Sequence, residues 1–154
     1  MFGKFTTSSK GPGFSAIAAR LSQFGPKSEA KAGVFHDTSP RSKGDITNAE
    51  LASIHEFGTA TIPERSFMRS AFRKNKKKYI RMAALFSKRV ARGDMKPKQA
   101  MDLIALEMAE DQKRIILGNT LTPLAAKTIE RKGSSRPLID TGQLINAIQG
   151  KSTP

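Results

Sequence analysis

The apolar residues Met68, Phe72, Tyr79, Ala83, Phe86 and Val90 recur at steps of four, seven, four, three and four. A pleated strand cannot hold an apolar face at that spacing, whereas an α-helix collects all six on one stripe. The pattern predicts a helix from about Phe67 to Arg92, closed at Gly93. Ten cations share this segment: Arg69, Arg73, Lys74, Lys76, Lys77, Lys78, Arg81, Lys88, Arg89 and Arg92. Set against the apolar stripe they take the remaining circumference, so the helix buries one side and presents a cationic flank. Only Tyr79 lies among the lysines, so phosphate contact without sequence readout is the nucleic-acid expectation, not base stacking. A solvated or partner-binding charged face is the open alternative.

The rest of the chain organises around this helix. A short helix is expected over Phe14, Ile17, Ala18 and Leu21, stopped by Gly25 and Pro26, then a strand over Lys31 to Asp37 and a surface loop over Thr38 to Asp45. Thr47 and Glu50 have the spacing of a capping box, so a helix begins at Asn48, with Leu51, Ile54 and Phe57 on one face and Gly58 as its stop. Thr59 to Ile62 reads as an extended link into Pro63. Pro97 opens another helix that ends at Gly118, with Met101, Ile104, Met108 and Ile115 as its buried face. Thr122 and Pro123 open a shorter one through Ile129, and Asp140 with Thr141 can cap a last helix, Gly142 to Ile148. The sum is an α+β fold: a small antiparallel or mixed sheet packed with a long basic helix and several shorter ones. At 154 residues one domain is expected, 1–154, with a flexible N-terminal segment 1–13 and a short C-terminal tail 150–154.

Composition removes several function classes. With no cysteine there is no disulfide, thiolate metal site or thiol nucleophile. Charges interrupt every hydrophobic run, so no membrane span and no membrane partner are expected, and Met1 to Lys10 lacks the apolar core of a secretory signal. The expected site of synthesis and use is a cytoplasm. The net charge of +14 draws the chain toward something anionic, or keeps a crowded assembly subunit soluble.

No motif for catalysis survives inspection. His55 and Glu56 suggest a zinc-protease helix, but the second histidine is replaced by Thr59 beyond Gly58, and His36 is the only other histidine. Gly150, Lys151 and Ser152 resemble the end of a phosphate-binding loop, yet Ile145 stands where its first glycine belongs and no helix follows. Glu107, Glu110 and Asp111 read as the solvated face of a helix, within pairing reach of Lys113 and Arg114. No catalytic residue, cofactor or metal is expected, and the chain reads as a non-enzyme.

Two segments carry a resemblance. Ala52 to Phe72, ASIHEFGTATIPERSFMRSAF, has a helix ending in Glu56, Phe57 and Gly58, a small linker, then Pro63, Arg65, Phe67 and Arg69 leading into a long helix. Leu121 to Ala147, LTPLAAKTIERKGSSRPLIDTGQLINA, has a Leu-x-Pro-Leu start, a Thr-Ile helix and a Lys-Gly turn, then Pro137, Leu138, Asp140, Thr141, Gly142 and Leu144. By residue type these positions are structural. Gly58 and Gly142 permit reversals, Pro63 fixes an extended entry, and Phe57, Phe67 and Leu138 are core candidates. Arg65 and Arg69 can clamp carbonyls or carboxylates between segments or subunits. In order and separation the pair resembles the neck and tail-completion proteins of tailed bacteriophages, the head-tail joining or minor tail class. The resemblance implies a virion protein of the head-tail neck, assembled in the host bacterial cytoplasm. It implies a homo-oligomeric ring, hexameric in expectation, between the head-closure or connector proteins and the tail terminator or tail tube. Genomic DNA or the tape-measure protein then lies in the lumen. A tail terminator capping the tail tube, or a non-specific DNA-binding protein, is the alternative. The family's closing strand has only Gln149 to Pro154 from which to form.

Overall fold

The long helix is the frame on which the other elements pack. The computed structural model describes residues 13–36, 46–118 and 120–153. In chain order the elements are α1 (Phe14–Leu21), β1 (Glu29–Val34), α2 (Asn48–Phe57), α3 (Phe67–Arg92), α4 (Pro97–Leu117), α5 (Ala126–Lys132), α6 (Gln143–Asn146) and β2 (Ile148–Thr153). The fold is α+β, and its sheet is a two-stranded antiparallel pair, β1 with β2. The expected flexible segment, apart from Gly13, and the expected loop over Thr38 to Asp45 lie outside the described residues.

Local chemistry sets the boundaries of the three main helices. The Thr47 hydroxyl accepts from the Glu50 amide at 3.2 Å while the Glu50 carboxylate accepts from the Thr47 amide at 2.7 Å, closing the capping box that starts α2. Gly93, at φ 92°, supplies the left-handed end of α3, and Pro97 opens α4. Between them α3 and α4 form a hairpin. The pair β1–β2 lies on α4, in register from Glu29 opposite Thr153 to Val34 opposite Ile148. One core cluster joins Ala52, Phe67, Ala71, Ala109, Ile116, Leu138, Leu144 and Ile148; a second, at the far end of the hairpin, joins Val90, Met95 and Ala100.

Several expectations are corrected. The face that α4 turns to the core holds Ala105, Ala109, Gln112 and Ile116 together with the expected Ile115, while Met101, Ile104 and Met108 are only half-buried. Large side chains do not fit there because β2 rides directly on the helix backbone: a Cβ on Gly150 would lie 2.8 Å from the Leu106 amide nitrogen and closer still to the Ala105 carbonyl. On α3 the buried residues are Phe67, Ala71, Tyr79 and Val90; Phe72 and Ala83 are exposed. On α2 they are Asn48, Ala52 and Glu56, whereas Phe57 is 65% exposed and is no core residue.

The strand β1 begins two residues early, at Glu29, and ends at Val34. Thr59 to Ile62 is a hydrogen-bonded loop, not an extended link, for the Thr59 hydroxyl accepts from the amides of Thr61 and Ile62. The helix expected from Thr122 starts only at Ala126, because the Thr122 and Pro123 carbonyls are held by Arg65 and the Thr122 hydroxyl donates to the Glu64 carbonyl. Lys132 belongs to that helix, which Gly133 ends. The last helix is shorter than expected and is not capped by Asp140 or Thr141; Gly142, at φ 78°, occupies the cap position. Ile148 leaves it to pair with Val34, so the residues read as a tail, Gly150 to Thr153, form most of β2.

Candidate functional site

Two regions gather the candidate residues, a knot beneath the start of α3 and the outer face of that helix. At the knot, Glu56 ends α2 with its carboxylate against the first turn of α3. It accepts from the Ser66 hydroxyl at 2.8 Å, from the amides of Met68 and Arg69 at 2.9 Å each, and from Arg69 Nε at 3.0 Å. Ser66, the N-cap residue of α3, makes no cap bond of its own. A buried carboxylate from another helix therefore satisfies the free amides and complements the positive end of the helix dipole. Arg69 also donates to the Glu56 carbonyl at 2.5 Å and to Glu64 at 3.0 Å, and its guanidinium stacks 4.8 Å from the Phe57 ring centre. Phe57 is thus a platform for Arg69 on the surface.

Arg65 faces the opposite way and ties the two motif segments together. Buried, it donates from Nε to the Thr122 carbonyl at 2.8 Å and from Nη2 to the Pro123 carbonyl at 2.9 Å. Burial lowers its pKa from the ordinary arginine value. Phe67 and Leu144 meet in the core, Pro137 is fully buried, and Leu138 packs beside them with φ 61°, the positive φ of a non-glycine residue. Gly58 has φ 73° with an extended ψ of 179°, and a Cβ there would stand 2.9 Å from the Glu64 amide nitrogen. Pro63, Asp140 and Thr141 are exposed. Pro63 lines a cavity of ≈ 450 Å³ with His55, Arg65 and Leu124; Asp140 lines an adjoining one of ≈ 450 Å³ with His55, Leu124 and Leu138.

The carboxylates of α4 are bonded to side chains of α3, α4 and β2. Asp111 is 3% exposed, accepts from the Tyr79 hydroxyl at 2.9 Å and from Arg114 at 2.7 Å, and pairs with Lys78. Its expected place on a solvated face is wrong: helix packing turns it toward α3. Burial pushes its pKa up, but the bonds from Lys78, Tyr79 and Arg114 outweigh that and hold the carboxyl below its ordinary range. Glu107 is held low by Lys78 and Arg114. The Lys78 ammonium is pulled down by burial and then raised above its ordinary value by Asp111 and Glu107. Glu110 pairs with Lys113, as its spacing indicates. Among the described residues no three histidine or acidic side chains are grouped as metal ligands.

Of the ten cations on α3, Lys78 and Arg69 are thus engaged in ion pairs. The other eight, Arg73, Lys74, Lys76, Lys77, Arg81, Lys88, Arg89 and Arg92, are exposed and have no side-chain partner among the described residues. Sequence reasoning found these cations. It missed Glu56 as the cap of α3, for which the only signal was an acid placed eleven residues before a helix start. It also missed the Asp111 network, which required the helix pairing to be known. No family model, curated protein or solved structure matches the chain.

Proposed function

We propose that this chain is a structural, non-enzymatic subunit of the head-to-tail junction of a tailed bacteriophage. In this reading identical subunits close into a ring, hexameric in expectation, with heterologous contacts between neighbours. The ring joins head-closure or connector proteins to the tail terminator or tail tube, and DNA passes through its lumen. The observation that carries the reading is the Arg65 clamp. Two segments that resemble neck and tail-completion proteins are separated by about fifty residues, and Arg65 of the first is bonded to the Thr122 and Pro123 carbonyls of the second. They form one architectural unit, so their joint occurrence has a physical reason.

Two further features support it. The polar groups that most resemble catalytic ones are committed to packing, Glu56 to capping α3 and Asp111 to joining α3 with α4. Leu103, Leu106 and Leu117 are large apolar side chains left exposed on α4, a surface that subunit contacts can cover. Among the described residues no helix is long and apolar enough to cross a membrane.

The test is genetic and structural. Particles assembled without this protein are expected to be filled heads lacking firmly attached tails, as counted by electron microscopy. Tails attached as firmly as in the complete particle would sink the proposal.

A further inference from the structure

We infer that the outer face of α3 is a contact for the phosphate backbone of duplex DNA, made without sequence readout. Within the junction reading this names the partner of α3, yet it stands on that helix alone. The helix carries ten cations and no acidic residue, and eight of those cations are uncompensated among the described residues. Arg73 with Lys77, Lys77 with Arg81, and Lys88 with Arg92 stand four residues apart, and each such like-charge pair destabilises the helix slightly. Spreading the charge over the surface would keep the protein equally soluble without that cost. A bound polyanion offsets it.

The arrangement fits a duplex better than other polyanions. At about 100° per residue, Lys74, Lys77, Arg81, Lys88 and Arg92 fall within about 60° of one another around the axis, in a line about 27 Å long. A duplex carries one phosphate per ~1.7 Å of its axis over both strands, about 16 along such a line, so five cations need to meet only the minority on the facing side. Apart from the cations themselves and the small Ser70, this face offers few groups that could read a base edge. Asn75 is spent on the Ala71 carbonyl, and the exposed apolar neighbours Ile80 and Leu85 offer no hydrogen bond. The aromatic residues do not form a stacking platform either: Tyr79 is buried on Asp111, with Phe72 leaning on it at 6.0 Å. An acidic protein surface would have to present carboxylates in a straight row to do the same.

The experiment is fluorescence anisotropy with a labelled 30-base-pair duplex from ~50 to ~200 mM salt. With about five phosphates engaged, affinity is expected to fall roughly 500-fold over that range, a slope of about −4.5. A variant carrying Lys74→Gln, Lys77→Gln, Arg81→Gln and Lys88→Gln is expected to show a fall of only about fourfold. A control carrying Lys27→Gln, Lys127→Gln, Arg131→Gln and Arg136→Gln lowers the net charge by the same four units and is expected to keep the full slope. Circular dichroism checks that all three proteins are equally helical. Equal losses in the two variants would mean diffuse attraction and overturn the inference. So would poly-glutamate, anionic vesicles or a single strand binding as tightly as the duplex, or no binding at ~50 mM salt. A negative result here leaves the particle test untouched, and the particle test can fail while α3 still binds DNA.

Discussion

At Asp111 a buried carboxylate ties α3 to α4. It receives the Tyr79 hydroxyl, Arg114 and Lys78 in a position almost closed to water. Burial, and then the bond to Asp111, push the Tyr79 hydroxyl well above its ordinary pKa, so it stays a neutral donor throughout the physiological range. Because the Asp111 and Glu107 carboxyls titrate below their unfolded values, their stabilisation is complete above the unfolded range of about pH 4 and is lost as pH falls through the folded values. The melting temperature is therefore expected to drop below about pH 4. Asp111→Asn is expected to flatten that acid limb and to cost about 2–3 kcal/mol at pH 7, less than a fully buried pair because Lys78 and Arg114 are partly solvated. Thermal melts from pH 7 to 2.5 measure both effects; an acid limb of unchanged steepness in the variant would refute the assignment.

Among the elements, the meeting of β2 with α4 is the tightest. Gly150→Ala is expected to destabilise by about 2 kcal/mol, because the new Cβ would strike helix backbone that cannot give way as a flexible side chain would. Lys127→Gln, at an exposed position of α5, serves as the neutral control. Urea midpoints decide it, and equal midpoints for the two variants would contradict the packing described. The same contact explains what was and was not legible in the sequence. Helix bounds were readable at Thr47, Gly93, Pro97 and Gly118 because caps and breakers act locally. Buried faces were readable only in part: Phe67, Tyr79, Val90, Ile115 and Leu138 are buried as expected, but a search for large apolar residues overlooks alanines chosen for close approach. The strand IQGKST has no alternating apolar pattern and owes its conformation to β1 and α4. Of the candidate site, the cationic face was visible as composition on one helix, whereas Arg65 meets carbonyls 57 and 58 residues away, a distance no local rule spans.

Among the described residues charge is segregated: acids of α2 and α4 are drawn into bonds, two of them with Arg69 and Lys78 of α3, while the other eight cations of α3 face outward. The same large-scale order governs how the chain can assemble itself. The α3–α4 hairpin joins neighbours in sequence, but β1 and β2 pair Glu29 with Thr153 and Val34 with Ile148, across most of the chain. Closing so long a loop is entropically costly and slow, so the hairpin should gain structure first and the strands last. Pulse-labelled hydrogen exchange during refolding is expected to protect α3 and α4 amides before those of β1 and β2; strand protection in the earliest phase would disprove the order. During synthesis, then, the alanine face of α4 waits uncovered until residues 148–153 leave the ribosome, and that interval is when the nascent chain is most exposed to aggregation or chaperone capture.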